Sequence, residues 1–283
     1  MTIDEQRRAI ATALTPRYGV GEARMMARIV MEHVTGKNNV SLMVDGDKPL
    51  SDFRRGQVRG IVDRLLAGEP LQYITGEAPF YGMTFKVTPA TLIPRPETAE
   101  LVDMIVDAAA SRPDLRVLDI GTGSGCIAIA LCRNLLFPEV TALDLSAEAL
   151  AVARENARLL KCRVDFMQAD AFAMECPRGP LYDIIVSNPP YVADSERAGM
   201  EANVLDHEPS SALFVPDDDP VVFYRAISRY AACALSRGGY LFFEVNPLFA
   251  DATVAVVSGA GMADVEVLPD SYGRKRFVKA RRL

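Results

Sequence analysis

Apolar positions in the first 65 or so residues recur every three to four places, whereas from residue 115 onward they gather into short runs separated by helix-length stretches. The early pattern runs through 10–14, then Met25, Met26, Ile29 and Val30, then Val58, Ile61, Val62, Leu65 and Leu66, with turn-like breaks at Pro16, 36–39 and 45–47. That spacing predicts a small helical domain. Residues 80–93 are strand-forming and punctuated by Pro and Thr, which predicts a β-hairpin linker. A helix is expected over 97–110, followed by strands at 115–120, 140–145, 163–167, 182–187, 239–245, 264–268 and 276–280 with helix-length segments between them. Strands alternating with helices make an α/β fold, a doubly wound Rossmann-like sheet that binds ligands at its carboxyl edge. The expected division is 1–79 helical, 80–96 linker and 97–283 α/β.

Two candidate sites fall at such edges. The strand over 182–187 runs into Asn188-Pro189-Pro190-Tyr191. Two prolines cannot continue a sheet, since neither has an N–H and both fix φ, so the chain must leave the sheet rigidly. Asn188 then offers a side-chain carbonyl, Ser187 and Pro189 offer main-chain carbonyls, and Tyr191 a flat aromatic face. The set suits a planar NH2 group, whose two protons need acceptors. A bare Pro-Pro turn closing a strand fits the tetrapeptide equally well. The second site is Gly121-Thr122-Gly123-Ser124-Gly125, between an apolar strand and an apolar helix. Glycines let backbone approach a ligand closely, and the helix behind them points N–H groups at it. Asp144 ends the next strand 19 residues after Gly125, where a carboxylate can accept both hydroxyls of a ribose. The loop also fits the relaxed dinucleotide fingerprint and leaves NAD open. An amide clamp at Asn188 has no use in hydride transfer.

Taken together, the glycine loop, Asp144, Asp170 in the segment 168–172 and Asn188 to Tyr191 resemble class I S-adenosylmethionine-dependent methyltransferases that act on a planar amino nitrogen. The segments 70–76, 80–98 and Asp270-x-x-Gly273-x-x-Arg276 narrow the resemblance to the glutamine methyltransferases of peptide chain release factors, the PrmC/HemK family. It spans nearly the whole chain beyond residue 65. The resemblance implies S-adenosyl-L-methionine as cofactor, held by Gly121 to Gly125, Asp144, Asp170, Ala171, Phe172 and Asn188. It implies a glutamine acceptor held by Asn188, Pro189, Pro190 and Tyr191, with Asn188, Pro189 and Tyr191 catalytic. It also implies a helical domain that docks the release factor. A glutamine of a large-subunit ribosomal protein, or an exocyclic amine of nucleic acid, fits the same clamp. A non-catalytic nucleotide-binding or interaction module is the remaining alternative, and the presence of both halves of the site weighs against it. The chain departs from the family at Ala171, where a large side chain is usual, at His207, where an aromatic is common, and at Asn246, where glycine is usual. Arg95, between two prolines, is expected to brace the hinge by a salt bridge.

Composition narrows the setting. The 283 residues fit two domains. Five cysteines, an odd number without C-x-x-C spacing, suggest neither a disulfide framework nor a zinc site. The N-terminus is charged and no apolar run approaches the ~20 residues of a membrane span, so a cytoplasmic protein is expected, with no membrane partner. Residues 1–80 carry 11 Lys+Arg against 10 Asp+Glu, and the remainder 20 against 27. That acidity speaks against gripping nucleic acid directly, and the basic run from Arg274 to Arg282 reads as a solvated strand. A monomer is expected. His33 and His207 are too isolated in the chain to form a ligand pair.

Overall fold

In the computed structural model, which describes residues 1–179 and 181–283, the chain forms two compact units, Met1–Gly76 with Glu201–His207, and Glu77–Met200 with Glu208–Leu283. The first is helical: α1 (Ile3–Thr35), α2 (Asn39–Val44), α3 (Asp52–Ala67) and α4 (Leu71–Thr75). Thr2 opens α1 through a reciprocal capping box with Glu5. The break expected at Pro16 lies instead at Gly19, the residue with non-helical backbone (φ 75°, ψ 164°). Ile10, Leu14, Val30, Met31 and Leu65, all at helical spacing, form this unit's core.

The second unit begins with the hairpin β1 (Glu77–Phe80) and β2 (Met83–Lys86). Its aromatic residues Phe80 and Phe85 sit in the core of the large sheet, which is why the hairpin belongs to this unit from Glu77 on, and the helical stretch stops short of residue 79. There follow α5 (Pro96–Ala109), β3 (Arg116–Ile120), α6 (Cys126–Asn134), β4 (Glu139–Asp144), α7 (Ala147–Leu159), β5 (Asp165–Gln168), β6 (Tyr182–Ser187) and β7 (Val192–Ala193). After α8 (Ala202–His207), which clusters with the first unit, come β8 (Phe214–Val215), α9 (Val222–Ala234), β9 (Leu235–Glu244), α10 (Ala250–Gly259), β10 (Ala263–Pro269) and β11 (Lys275–Arg281). The seven expected strands form one sheet in the order β10-β11-β9-β6-β3-β4-β5. It is parallel from β9 to β5, and β11 and β10 run antiparallel to their neighbours.

Alternation along the central strands splits the core in two. Ile184, Val186 and Phe242 join the helices α5 and α6 on one face, while Ile185 and Phe243 join α9 and α10 on the other. Chain order reverses at β3, which pairs with β4 on one side and β6 on the other. Ile120 and Ser187 are register partners, so the glycine loop and the Asn-Pro-Pro turn leave the sheet side by side.

Two features depart from expectation or escape it. Cys176 and Cys233 are joined in a disulfide, tying the segment after β5 to the end of α9, although the cysteine count suggested none. The two are 57 residues apart, with Cα atoms 5.7 Å apart in the fold, and no local spacing encodes such a pair. Asn156, on the buried face of α7, is fully enclosed. Its Oδ1 accepts from Lys86 N at 2.7 Å, and its Nδ2 donates to Lys86 O and Ser124 O, each at 2.9 Å. One side chain thus fastens the hairpin and the glycine loop to α7. Asn156→Leu keeps the volume and strands those main-chain groups, at roughly 1–3 kcal/mol each. The expected outcome is a stability loss of about 3 kcal/mol or more, read by urea unfolding; a loss below about 1 kcal/mol contradicts it.

Candidate active site

The strand β3 delivers the glycine loop with its backbone already bent. Gly121 and Gly123 have φ of 76° and 56°, and a Cβ at either would project into open space, so these positions leave room for a ligand. Gly125 serves packing instead. A Cβ there would meet Ile129 Cδ1 at 3.1 Å and Ala153 Cβ at 3.2 Å, so its bareness lets α6 and α7 close up behind the loop. Gly121 N and Thr122 N donate to Leu143 O at 2.9 and 3.0 Å, and Gly123 N donates to Asp144 Oδ2 at 2.8 Å. Ser146 N donates to the other Asp144 oxygen at 2.9 Å. The half-buried Asp144 carboxylate is thereby fixed at the end of β4.

Under the loop lies Asp119, fully buried. Its Oδ2 accepts from Thr122 Oγ1 at 2.7 Å and from Ala128 N at 3.2 Å, whereas Oδ1 is buried with no hydrogen-bond partner among the described residues. Burial pushes its carboxyl up to about 7, against those two hydrogen bonds and with a smaller push from the Asp144 charge. A cavity of about 390 Å³ opens above, walled by the glycine loop, Asp144, the segment after β5, the Asn-Pro-Pro turn, the chain from Pro89 to Thr98, and α9.

At the opposite wall, Ser187 Oγ donates to Ile120 O at 2.7 Å and fastens the end of β6 to β3. Asn188 and the two prolines line the cavity. Asn188 Nδ2 donates to Thr98 Oγ1 at 3.3 Å, and the Thr98 hydroxyl donates to Glu244 Oε2 at 2.7 Å. Glu244 ends β9 and is buried; burial raises its pKa, opposed by its bonds to Thr98 and Tyr191 and by the Arg276 charge.

Tyr191 differs from expectation. Its hydroxyl donates to Glu244 Oε1 at 3.1 Å, and its ring packs into the second core cluster and lines a neighbouring hollow with Arg276 and Asn246 rather than the cavity. The cause is the main chain, because Tyr191 N and Val192 N both donate to Leu213 O and turn the residue away after the rigid prolines. Burial, then the Glu244 charge, push its phenol well above the ordinary value. Asn246, the departure from glycine, donates to Tyr191 O at 3.1 Å and Glu196 Oε2 at 2.9 Å, and accepts from Leu248 N. It pins the chain just past the turn.

Of the residues singled out by sequence, Gly121, Thr122, Gly123, Ser124, Asp144, Asp170, Ala171, Phe172, Asn188, Pro189 and Pro190 line the one cavity, and Gly125 and Tyr191 stand behind it. Asp170 closes a tight turn by accepting from Phe172 N at 2.9 Å. Phe172, half exposed, lies against Phe223 of α9 with ring centroids 4.7 Å apart, so the aromatic wall comes from Phe172 and Phe223 where Ala171 is small. Arg95 pairs with the buried Glu208 at 2.6 Å, and Glu208 Oε2 accepts from Ile93 N at 3.3 Å, the bracing expected of it. Sequence reasoning missed Phe223, Thr98 as a partner of Asn188, and the hub at Glu244. A lone Glu closing an apolar strand was the available signal for the last.

Asp119 makes stability depend on pH in a defined direction. Its folded pKa lies above that of the unfolded chain, so the folded form holds a proton the unfolded form releases, and stability falls as pH rises from about 4 to about 7. Thermal midpoints of ligand-free protein across that range are expected to fall more steeply for wild type than for Asp119→Asn; parallel curves contradict the assignment.

Residues 6–76 match the family model of the PrmC N-terminal domain and 98–210 that of the methyltransferase small domain. The chain is 44% identical over 274 residues to the release factor glutamine methyltransferase of Bacteroides thetaiotaomicron, covering 96% of this chain and 98% of that one. It is 38% identical over 282 residues to the protein of that name from Flavobacterium psychrophilum, covering 99% of each. Among solved structures, the hMettl16 catalytic domain aligns with a TM-score of 0.56 at 16% identity over 82% of both chains. The T. thermophilus 16S rRNA N2 G1207 methyltransferase, in complex with AdoMet and guanosine, aligns at 0.52 and 17% over 73% of this chain and 50% of that one; both show a shared fold. Near-full-length identity of this order places the chain in the release factor glutamine methyltransferase family.

Proposed function

We propose that this protein transfers the methyl group of S-adenosyl-L-methionine to the side-chain amide nitrogen of the glutamine in the Gly-Gly-Gln loop of peptide chain release factors. The observation that carries the reading is Asn188, whose amide N–H faces Thr98 while the side chain borders the cavity, leaving its oxygen for an acceptor's protons.

The residues fit the cofactor. The cavity has room for an elongated ligand, the bare faces of Gly121 and Gly123 border it, and Asp119 Oδ1 waits beneath the loop without a partner. Its charged lining consists of Asp144, Glu148 and Asp170 against Arg95, itself engaged by Glu208. Carboxylates suit a cationic sulfonium compound and repel the pyrophosphate of a dinucleotide, which weighs against NAD. Asp144 would take the ribose hydroxyls, Asp170 the adenine amino group, and Phe172 with Phe223 the faces of the base.

When bound, the cofactor supplies an electrophilic methyl on its sulfonium. The protein's task is to align an acceptor. A glutamine nitrogen is a weak nucleophile because its lone pair is delocalised into the carbonyl; Asn188 Oδ1 and the Pro189 carbonyl accept its two protons and turn the lone pair out of the amide plane. Alignment of this kind is worth up to ~7–11 kcal/mol in favourable cases. No base need act beforehand, since the proton leaves once nitrogen becomes cationic. Glutamate in the acceptor's place brings oxygens against carbonyl oxygens with no proton between them, and sites built on hydrogen bonds reject such analogues by roughly 10⁴-fold. The helical unit docks the factor. No helix among the described residues is long and apolar enough to cross a membrane, and the reading places a monomeric enzyme in the cytoplasm.

The decisive assay is methyl transfer from labelled S-adenosylmethionine to a purified release factor and to a copy with the Gly-Gly-Gln glutamine changed to alanine. Label on the first alone is expected. Label on neither, with cofactor still bound, redirects the activity to a ribosomal protein or a nucleic-acid amine. Asn188→Ala is expected to bind cofactor with modest loss and to slow transfer by on the order of 10²-fold, and near-normal turnover in it refutes the clamp.

A further inference from the structure

A carboxamide has an accepting edge and a donating edge, and whichever of them Asn188 turns to the cavity decides what it can recognise. Thr98, from the first turn of α5, is buried at 3% exposure, and Glu244 at 1%. The Thr98 hydroxyl has a single proton, and Glu244 receives a hydroxyl proton on each of its two oxygens. With Glu244 Oε2 at 2.7 Å, that proton is committed, and Thr98 Oγ1 has only lone pairs left for Asn188, 3.3 Å away. Asn188 must therefore give Thr98 its NH2 edge. Its oxygen is left on the opposite edge. Glu244 is held in turn: Tyr191 donates to its other oxygen at 3.1 Å, Tyr224 donates to its main-chain oxygen at 3.1 Å, and the positive charge of Arg276 faces it.

We infer that Glu244, acting through Thr98, sets the polarity of the Asn188 amide, so that the clamp toward the acceptor is made of acceptors only. Neither residue need touch the reacting atoms. They are positioning residues that determine specificity, keeping the clamp matched to the NH2 of glutamine and mismatched to the oxygens of glutamate. Without the relay the amide is free to turn over and offer its NH2 to a carboxylate. The inference rests on the reading of Asn188 as the residue that receives the acceptor amide.

The test uses the full-length protein and three variants. Thr98→Val keeps the shape and removes the lone pairs, Thr98→Ser keeps the hydroxyl, and Glu244→Gln can present an NH2 to Thr98 and release the hydroxyl proton toward Asn188. Three quantities are measured: S-adenosylhomocysteine affinity by calorimetry, kcat and KM on a release factor, and the equilibrium affinities, with that product bound, for factors carrying Gly-Gly-Gln and Gly-Gly-Glu. Thr98→Val is expected to bind S-adenosylhomocysteine like wild type and to lose about tenfold in kcat, the equivalent of one hydrogen bond. Its preference for glutamine over glutamate should collapse, chiefly through tighter binding of the glutamate factor. Thr98→Ser should restore both kcat and preference, and Glu244→Gln should lose the preference as Thr98→Val does. A Thr98→Val enzyme with wild-type kcat and undiminished preference overturns the relay, as does a Thr98→Ser enzyme as impaired as the valine variant. Should Thr98→Val fail to fold, an undiminished preference in Glu244→Gln overturns it equally. A wild-type protein that binds S-adenosylhomocysteine and methylates no glutamine factor overturns the parent reading instead.

Discussion

The parallel pairing of β3 with β6 is the constraint on which the rest of the site depends. Register places Ile120 beside Ser187, and the Ser187 hydroxyl bonds the Ile120 carbonyl across the gap. Each strand then ends in a segment that cannot continue a sheet, one because glycines at 121, 123 and 125 take positive φ, the other because two prolines lack N–H groups. Both chains must leave the sheet at the same place, and the space between them becomes the cavity. Sheet order supplies this adjacency, since crossover connections reverse direction at β3 and leave a crevice there.

Glu244 plays a comparable part on the acceptor side. One buried carboxylate receives hydroxyl protons from α5 and from the chain after β6, while its own main-chain oxygen is held from α9. Taking a carboxylate out of water is costly unless its oxygens are satisfied. Here both oxygens are, and three separate elements are fixed relative to one another by doing so. The same accounting explains Asn246, whose side chain secures the peptide after Tyr191 and caps the short turn that follows.

Much of this was legible in the chain, because the informative signals are local. Alternating apolar runs located all seven strands, and Gly121 to Gly125 and Asn188 to Pro190 read correctly as a loop and a turn at strand ends, since glycine and proline carry their backbone consequences with them. The partners of those residues were hidden. Thr98 lies 90 residues from Asn188 and Glu244 a further 56 beyond it, and nothing in the spacing announces that two strands and a helix bring them together. Asn156 looked like any polar helix residue until its apolar neighbours on α7 were seen to be buried. Tyr191 was misplaced for a related reason. An aromatic next to a binding turn invites a stacking role, but its direction was decided by main-chain bonds to Leu213, which no local pattern records. The Cys176–Cys233 bond belongs to the same class of long-range facts.

The two buried acids stand in different energetic positions, and the difference follows the proposed reaction. Glu244 has a partner on each oxygen and serves the architecture whether or not a ligand is present. Asp119 has one oxygen satisfied and one buried without a partner, an arrangement that a well-packed protein ordinarily avoids. Sites that break a local rule in this way tend to be functional, with the deficit made good when a ligand arrives. A cofactor that carries both a sulfonium and an ammonium brings positive charge of the kind this buried carboxylate lacks. Its binding then draws on the folded state's own unmet interaction as well as on new contacts, and a ligand that binds only the folded form stabilises it more as its concentration rises above its dissociation constant, growing with the logarithm of that ratio. The glycine loop is thus held ready by Asp144 and Asn156 from outside, while the residue beneath it is left unsatisfied, so that rigidity and affinity come from different side chains.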